Sequence, residues 1–383
     1  MDIRVSVTEN VLTNILVVLE RIFKCMNIRQ LNKCSLVCKS WRDQVRREKC
    51  RREKYFPKLR WNSFKHEGDV NSIEESWWNS IRDFIMDSPV EPACLLMFCT
   101  ETLWCCMNKL QSPGQSLQSL LNIDLPSSCI FQLVVTDGVV GTDQDMKTEE
   151  MEEYISAMSL LMIRKSAGAK FLQFSSSLTD CKQLVKHAQG KLPSLPNCFQ
   201  GLNQKEVLPL VKMINLYCPM SGINQETSNS FYKLFNKPLI AGGFVNEKIL
   251  SDLSGVLQRS EEGCAVLGFV ICGERVKVAS VLIPSDVQDE KQVDALIKQL
   301  SDSKFPLENS FGLMYACVGR GVHVYTEHNV ESKVFRKYFP KTPLLGIFGN
   351  GEIGMSYPPK DFDDTPPKLL HAYTTIMCLV CLT

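Results

Sequence analysis

The chain has 383 residues, 44% of them apolar and 22% charged, and its 43 Lys and Arg balance 42 Asp and Glu to a formal charge of +1. That length predicts two or three domains with a sizeable core, and the balance excludes composition-driven disorder and general adhesion to nucleic acid or membrane surfaces. The longest apolar runs, such as Ala265 to Cys272, fall far short of the roughly 18 residues that a membrane span requires.

The opening Met1-Asp2-Ile3-Arg4 does not read as a secretory signal, so the expected location is the cytoplasm and nucleus. In a reducing compartment the 17 cysteines are mostly small core residues. The close spacings Cys34 to Cys38, Cys105-Cys106 and Cys378 to Cys381 lack the second pair that a structural zinc needs. No metal and no cofactor are expected.

Residues 1–54 carry a helical pattern. Val11, Leu12, Ile15, Leu16, Leu19, Ile22, Phe23 and Met26 recur at i, i+3, i+4 and i+7, with Asn10 as N-cap. A second short helix follows Asn27 with Ile28 and Leu31, and a third carries Val37, Cys38, Trp41 and Val45, with positions 37, 41 and 45 on one stripe. From Arg42 to Lys54 seven basic residues are interspersed with Asp43, Glu48 and Glu53. This stretch reads as a nuclear-import or phosphate-binding run, or as the solvated face of the third helix with charges paired at i, i+4; the interspersed acids favour the latter.

Residues 55–91 read as a linker with one helix, on which Ile73, Trp77, Ile81, Phe84 and Ile85 share a face packed between domains. After Pro92 short apolar runs bounded by turn residues signal buried strands. One half, 92–235, has runs at 93–99, 129–135, 157–163, 170–174 and 207–217. The other, 236–383, has them at 239–240, 265–271, 276–283, 311–318, 322–325, 344–348 and 372–380. Cys272 to Arg275 reads as the tight turn of a hairpin, and Lys291 to Leu300 and Val330 to Phe339 as helices. Gly141 to Glu153 and Ser356 to Pro367 read as surface loops. The expected fold class is α+β: a small N-terminal three-helix domain, then a large mixed region of extended sheets flanked by helices.

The chemistry concentrates in glycine-rich turns. Gly319-Arg320-Gly321 reads as a strand-turn-strand in which Arg320 either offers its guanidinium to a carboxylate or phosphate, or ties the turn to an acid such as Glu352. In Gly349-Asn350-Gly351-Glu352 the Asn-Gly pair is a hairpin turn, and the helix that a dinucleotide or phosphate loop would need is missing. Cys317, beside the first turn, is a buried inert thiol or, with Arg320 or turn N–H groups at its sulfur, a reactive one. His323 and His371 stand in strand-like runs without any catalytic spacing. The expectation is a chain without catalytic residues.

Leu31 followed by Val37-Cys38-Lys39-Ser40-Trp41-Arg42, after an amphipathic helix ending near Met26, resembles an F-box, although Leu12-Thr13 stands where that module opens with Leu-Pro. The stretches Leu239 to Gly243, Phe311 to Gly321, Phe348 to Gly354 and His371 to Ile376 resemble a FIST domain, and Val134 to Val140 extends that likeness upstream. Together they resemble the F-box only protein 22 family, as a divergent member, with an F-box at 1–54 and FIST N- and C-terminal domains at 92–235 and 236–383. The resemblance implies docking on the Skp adaptor and cullin scaffold of an SCF ubiquitin ligase by helix-in-groove recognition, through Leu12, Ile15, Leu16, Leu19, Leu31, Val37 and Trp41. It implies protein substrates among nuclear regulators, held by the FIST region and marked for degradation. Cys317, Gly319, Arg320, Gly321, Asn350, Gly351, Glu352 and His371 are the residues expected to meet a ligand or target. The alternative is a sensory protein that binds a small amino-acid-like ligand and has no ligase role.

Overall fold

The computed structural model describes residues 15–66, 75–109, 125–126, 128–152, 154–165, 169–220, 222–245, 249–250, 265–359 and 367–383. Its first elements are helices: α1 (residues 15–24), α2 (Ile28–Cys34) and α3 (Lys39–Tyr55). Asn27 starts α2 with a capping box, its side chain accepting the Gln30 N–H while the Gln30 side chain accepts the Asn27 N–H, both at 2.9 Å. Phe23, Ile28, Leu31 and Val45 form the core of this module, and Trp41 stands edge-on to Phe23 with ring centroids 5.5 Å apart. Because α3 begins only at Lys39, Val37 is not on the helical stripe as expected; it lies with Leu36 in the turn between α2 and α3.

The expected linker is not a spacer. It contributes β1 (Leu59–His66), paired along its length with residues 156–163, and α4 (Glu75–Met86), whose Ile81, Phe84 and Ile85 are buried. Ile73, expected on the same helix, lies outside the described residues. The strands that follow are β2 (Pro92–Thr100), β3 (Ile130–Thr136), β4 (Gly138–Thr142), β5 (Thr148–Met151), β6 (Ser156–Arg164), β7 (Lys170–Ser176), β8 (Val211–Cys218) and β9 (Leu239–Phe244). After them come β10 (Ile249–Leu250), β11 (Val266–Cys272), β12 (Val276–Ile283), β13 (Ser310–Cys317), β14 (Leu344–Gly349), β15 (Glu352–Gly354), β16 (Leu370–His371) and β17 (Thr375–Leu382).

These strands form three sheets, in the orders β1-β6-β2-β3-β10, β16-β15-β9-β8-β11-β7 and β12-β17-β13-β14-β4-β5. Most pairs are antiparallel, while β2–β3, β8–β9 and β13–β14 are parallel. Strand alternation assigns the faces: on β2, Cys94, Leu96 and Phe98 enter the central core and Leu95, Met97 and Cys99 enter a second core under α4. On β13, Leu313 and Tyr315 face the same central core, while Met314 and Ala316 face the helices Glu290–Ser301 and Val330–Tyr338. Strands buried on both faces read as continuous apolar runs, which is why this region shows short apolar blocks in the sequence.

Three local expectations are corrected. The segment Cys272 to Arg275 is no hairpin, because β11 pairs with β7 and β8 while β12 pairs with β17 in a different sheet. Val322–Tyr325 is one turn of helix rather than a strand, entered through Gly321 at φ 56° and left through Thr326 at φ 57°. Within the expected loop Gly141 to Glu153, residues 148–151 form β5, the edge of the third sheet.

Candidate functional site

Two places gather the expected site residues. The first is the outer face of the helical module. Among the described residues thirteen large apolar side chains are exposed, and seven of them lie between residues 15 and 37: Ile15, Leu16, Val17, Val18, Ile22, Leu36 and Val37. Exposed apolar side chains so concentrated make this module the candidate docking surface. Of the seven residues expected to bind an adaptor, Ile15, Leu16 and Val37 are on this face, and Leu19 and Trp41 are half-buried at its base. Leu31 is fully buried and belongs to the module's own core, and Leu12 lies outside the described residues.

The second place is the carboxyl ends of the parallel strands β13 and β14, where Cys317 is in register with Gly349. Here Val318 donates its N–H to Gly349 O at 2.9 Å, and Cys317 donates its own to Thr374 O at 3.1 Å. Gly319 lies under the Tyr373 ring, so closely that a Cβ would come within 2.9 Å of it. A Cβ on Gly321 would meet the Glu152 carboxylate at 2.6 Å, and both oxygens of that carboxylate accept the Val322 N–H at 3.1 Å. Both glycines are therefore needed for close approach, one to a ring and one to an acid that caps a turn of helix.

Arg320 turns inward. Its Nε and Nη2 donate to Glu331 Oε1 at 3.0 and 2.8 Å, its Nη1 to Pro284 O and Tyr373 O, and its Nη2 also to Val287 O and the Tyr325 hydroxyl. Tyr325 in turn donates to Glu331 Oε1 at 2.7 Å. The tie to an acid is thus real, but its partner is Glu331 on the helix Val330–Tyr338 rather than Glu352. With its donors engaged and its side chain fully buried, Arg320 presents no fork to a ligand, which corrects that reading of the turn.

What faces Cys317 is Glu352. That carboxylate is buried, accepts the Thr374 N–H at 2.9 Å and its hydroxyl at 2.5 Å, and sits in register with His371. Burial pushes the Glu352 carboxyl up, with the Thr374 hydrogen bonds opposing. Burial, then the Glu352 charge, pushes the Cys317 thiol up, and the N–H groups of Gly319 and Tyr373 pull against it. Burial and the neighbouring acid both disfavour the thiolate, which favours the inert-thiol reading of Cys317. Burial lowers the pKa of His371, whose Nε2 lies 3.1 Å from both Gly354 O and Lys368 O. His323 is on the surface of its helical turn.

Asn350 is exposed and donates to Asp137 Oδ2 at 3.0 Å, while Gly351, at φ 135°, accepts from the Phe244 N–H at 2.9 Å. The second turn is thus fastened to β9 as a structural corner. Tyr373, Thr374, Glu331, Tyr325 and Glu152 also build the site and were not expected. Tyr373 is 62% exposed in a left-handed backbone at φ 60°, and its only trace in the sequence is the glycine it covers. Among the described residues no group of three or more His, Cys, Asp or Glu is placed to hold a metal ion, and no helix is long and apolar enough to cross a membrane.

Two domain families match the chain: the F-box domain over residues 16–53, in the three-helix module, and the FIST C domain over residues 237–355, in the sheets. Along nearly its whole length the chain is similar to F-box only protein 22 of Homo sapiens and of Pongo abelii, at 28% identity over 396 residues in each case, covering 97% of this chain and 94% of each relative. The two domain matches and this end-to-end similarity agree on what the chain resembles. They also support, in general terms, the role of substrate receptor in an SCF ligase. The crystal structure of cyanuric acid hydrolase from A. caulinodans aligns with a TM-score of 0.38 and 9% identity, over 85% of this chain and 100% of that one. A likeness that low bears on neither fold nor activity.

Proposed function

We propose that this protein is the substrate-recognition subunit of an SCF-type E3 ubiquitin ligase. The face formed by Ile15, Leu16, Ile22, Leu36 and Val37 docks on the Skp adaptor, the cullin scaffold joins through that adaptor, and the FIST region holds target proteins. The chain itself is non-catalytic: tethering raises the effective concentration of a target lysine near the charged conjugating enzyme. The proposed place of action is the cytoplasm and nucleus, with nuclear regulators among the targets. The observation that carries this reading is the concentration of exposed apolar side chains on α1 and the turn after α2, while the rest of the module closes its own core. The small-ligand sensor reading is less favoured, because the guanidinium it would use is consumed by Glu331.

The test is coexpression with the Skp adaptor followed by size-exclusion chromatography. Removing residues 1–54 would also remove Arg52, which is buried and bonded to Pro89 O of the body, so surface substitutions are the cleaner control. The native chain is expected to elute with the adaptor, and Ile15→Asp with Val37→Asp to elute alone at an unchanged unfolding temperature. Native chain that elutes without the adaptor would sink the proposal.

A further inference from the structure

The helical module is bolted to the sheets rather than strung from them. Only residues 56–58 separate α3 from β1, and the last turn of α3 is held by two arginines. Arg52 is 2% exposed and pairs with Glu48 one turn earlier at 2.7 Å. Its Nη2 donates to Phe23 O at 2.8 Å and Lys24 O at 3.3 Å, at the end of α1, and its Nη1 donates to Pro89 O at 3.0 Å, in the segment that leads into β2. From the opposite side Arg164, the last residue of β6, donates to Phe56 O at 2.7 Å and Arg52 O at 3.4 Å. The neighbouring Ser88 accepts the first N–H of α2, from Ile28, at 3.1 Å.

Part of the arrangement reaches beyond the module itself. An ion pair with Glu48 alone would use one edge of the guanidinium, yet the rigid planar fork is spent on carbonyls of two other segments, one of them in the body. Carbonyls at helix ends are otherwise left to water. Here Arg52 closes the end of α1 within the module, while its bond to Pro89 O and the Arg164 bonds to the end of α3 cross the junction.

We infer that Arg52 and Arg164 are positioning residues, which fix the angle between the adaptor-docking face and the target-holding body so that ubiquitin reaches a restricted set of lysines. The use of that angle rests on the proposed ligase function; the rigidity does not. Two modules joined by a short segment with a modest interface move relative to each other by default, and the arginine contacts are what removes that freedom.

The experiment reads the junction directly. Fluorophores are introduced as unnatural amino acids at Arg46 on α3 and at Tyr154 on the body, both well exposed, and the distance distribution is measured by single-molecule energy transfer. The native chain is expected to give one narrow population. Arg52→Lys retains the charge opposite Glu48 and loses the fork, and Arg164→Gln touches only the two carbonyls at the end of α3. Each is expected to broaden the population about two-fold with the far-ultraviolet circular dichroism unchanged. In the reconstituted ligase the same variants are expected to bind the adaptor as tightly as the native chain and to spread self-ubiquitination over more lysines, mapped by mass spectrometry. Should Arg52→Lys unfold the module, Arg164→Gln alone decides. Unbroadened populations, or an unchanged lysine set in a broadened variant, would overturn the inference. A native chain that fails to bind the adaptor overturns the ligase reading instead, and leaves the distance measurement standing as the test of rigidity.

Discussion

Arg320 and Glu331 lie 2.8 Å apart with neither side chain exposed to solvent. A buried pair contributes little over a well-packed apolar replacement, but breaking it leaves one charge without compensation, at a cost of about 3–5 kcal/mol. Arg320→Met is therefore expected to lower the urea midpoint sharply, and Arg320→Met with Glu331→Leu to recover most of the loss. If Arg320 instead served an external ligand, the single substitution would leave stability nearly unchanged.

Glu150 gives the fold a pH dependence of unusual sign. Its carboxyl is pushed up to about 7 by burial and then by the Glu331 charge, against hydrogen bonds from Ser332, whose N–H lies 2.7 Å from Oε1. In the unfolded chain the same group titrates near 4.3. The folded state therefore holds more protons between those values, so this group favours folding most at low pH and loses that contribution as pH rises through 7. Glu150→Gln keeps the acceptor and removes the charge. Each pH unit separating the folded and unfolded titrations corresponds to about 1.4 kcal/mol. The substitution is expected to stabilise the protein by roughly 3 kcal/mol at pH 8 and by little at pH 4.5, measured as the difference between variant and parent unfolding curves.

The adaptor face and the module core respond differently to truncation. Leu31→Ala opens a cavity beside Phe23, Ile28 and Val45 and is expected to cost about 2–5 kcal/mol. Val37→Ala, at a side chain 62% exposed, is expected to leave stability within about 0.5 kcal/mol and to weaken adaptor binding. Thermal unfolding and an adaptor titration on the two variants separate these effects.

Glu352 is expected to slow the chemistry of Cys317. Glu352→Gln preserves the acceptor for Thr374 and removes the second-largest cause of the raised thiol pKa. Alkylation of Cys317 by iodoacetamide at pH 8, followed residue by residue in a mass spectrometer, is expected to be faster in the variant. An unchanged rate would mean that burial, with 6% of the residue accessible, controls access by itself.

The sequence is most legible where both faces of a strand are buried. Val276 to Ile283 is delimited to the residue, because six of its eight residues are buried, four are β-branched, and turns end it. Legibility fails where both faces are only half-buried: in Leu59 to His66, Trp61 faces one core and Phe64 the other, polar residues stand between them, and pairing with β6 makes it a strand. Val322 to Tyr325 has strand-like alternation, yet the left-handed residues on either side close it into a turn of helix. In the site, Cys317, Gly319 and Glu352 are legible as a group, whereas the partner of Arg320 is not. Glu331 and Glu352 are equally plausible in one dimension, and the choice is made by where the helix Val330–Tyr338 packs.

The interleaving of the three sheets bears on how the chain reaches this state. Strands from before and after residue 235 share every sheet, and β17 is inserted between β12 and β13, which precede it by many residues. Gly138 waits for Phe348 as its partner. Pairings so distant in sequence fold slowly and leave strand edges open during synthesis. The nascent chain thus passes through a stage with exposed β-edges, in which pairing with other chains competes with completion of its own sheets.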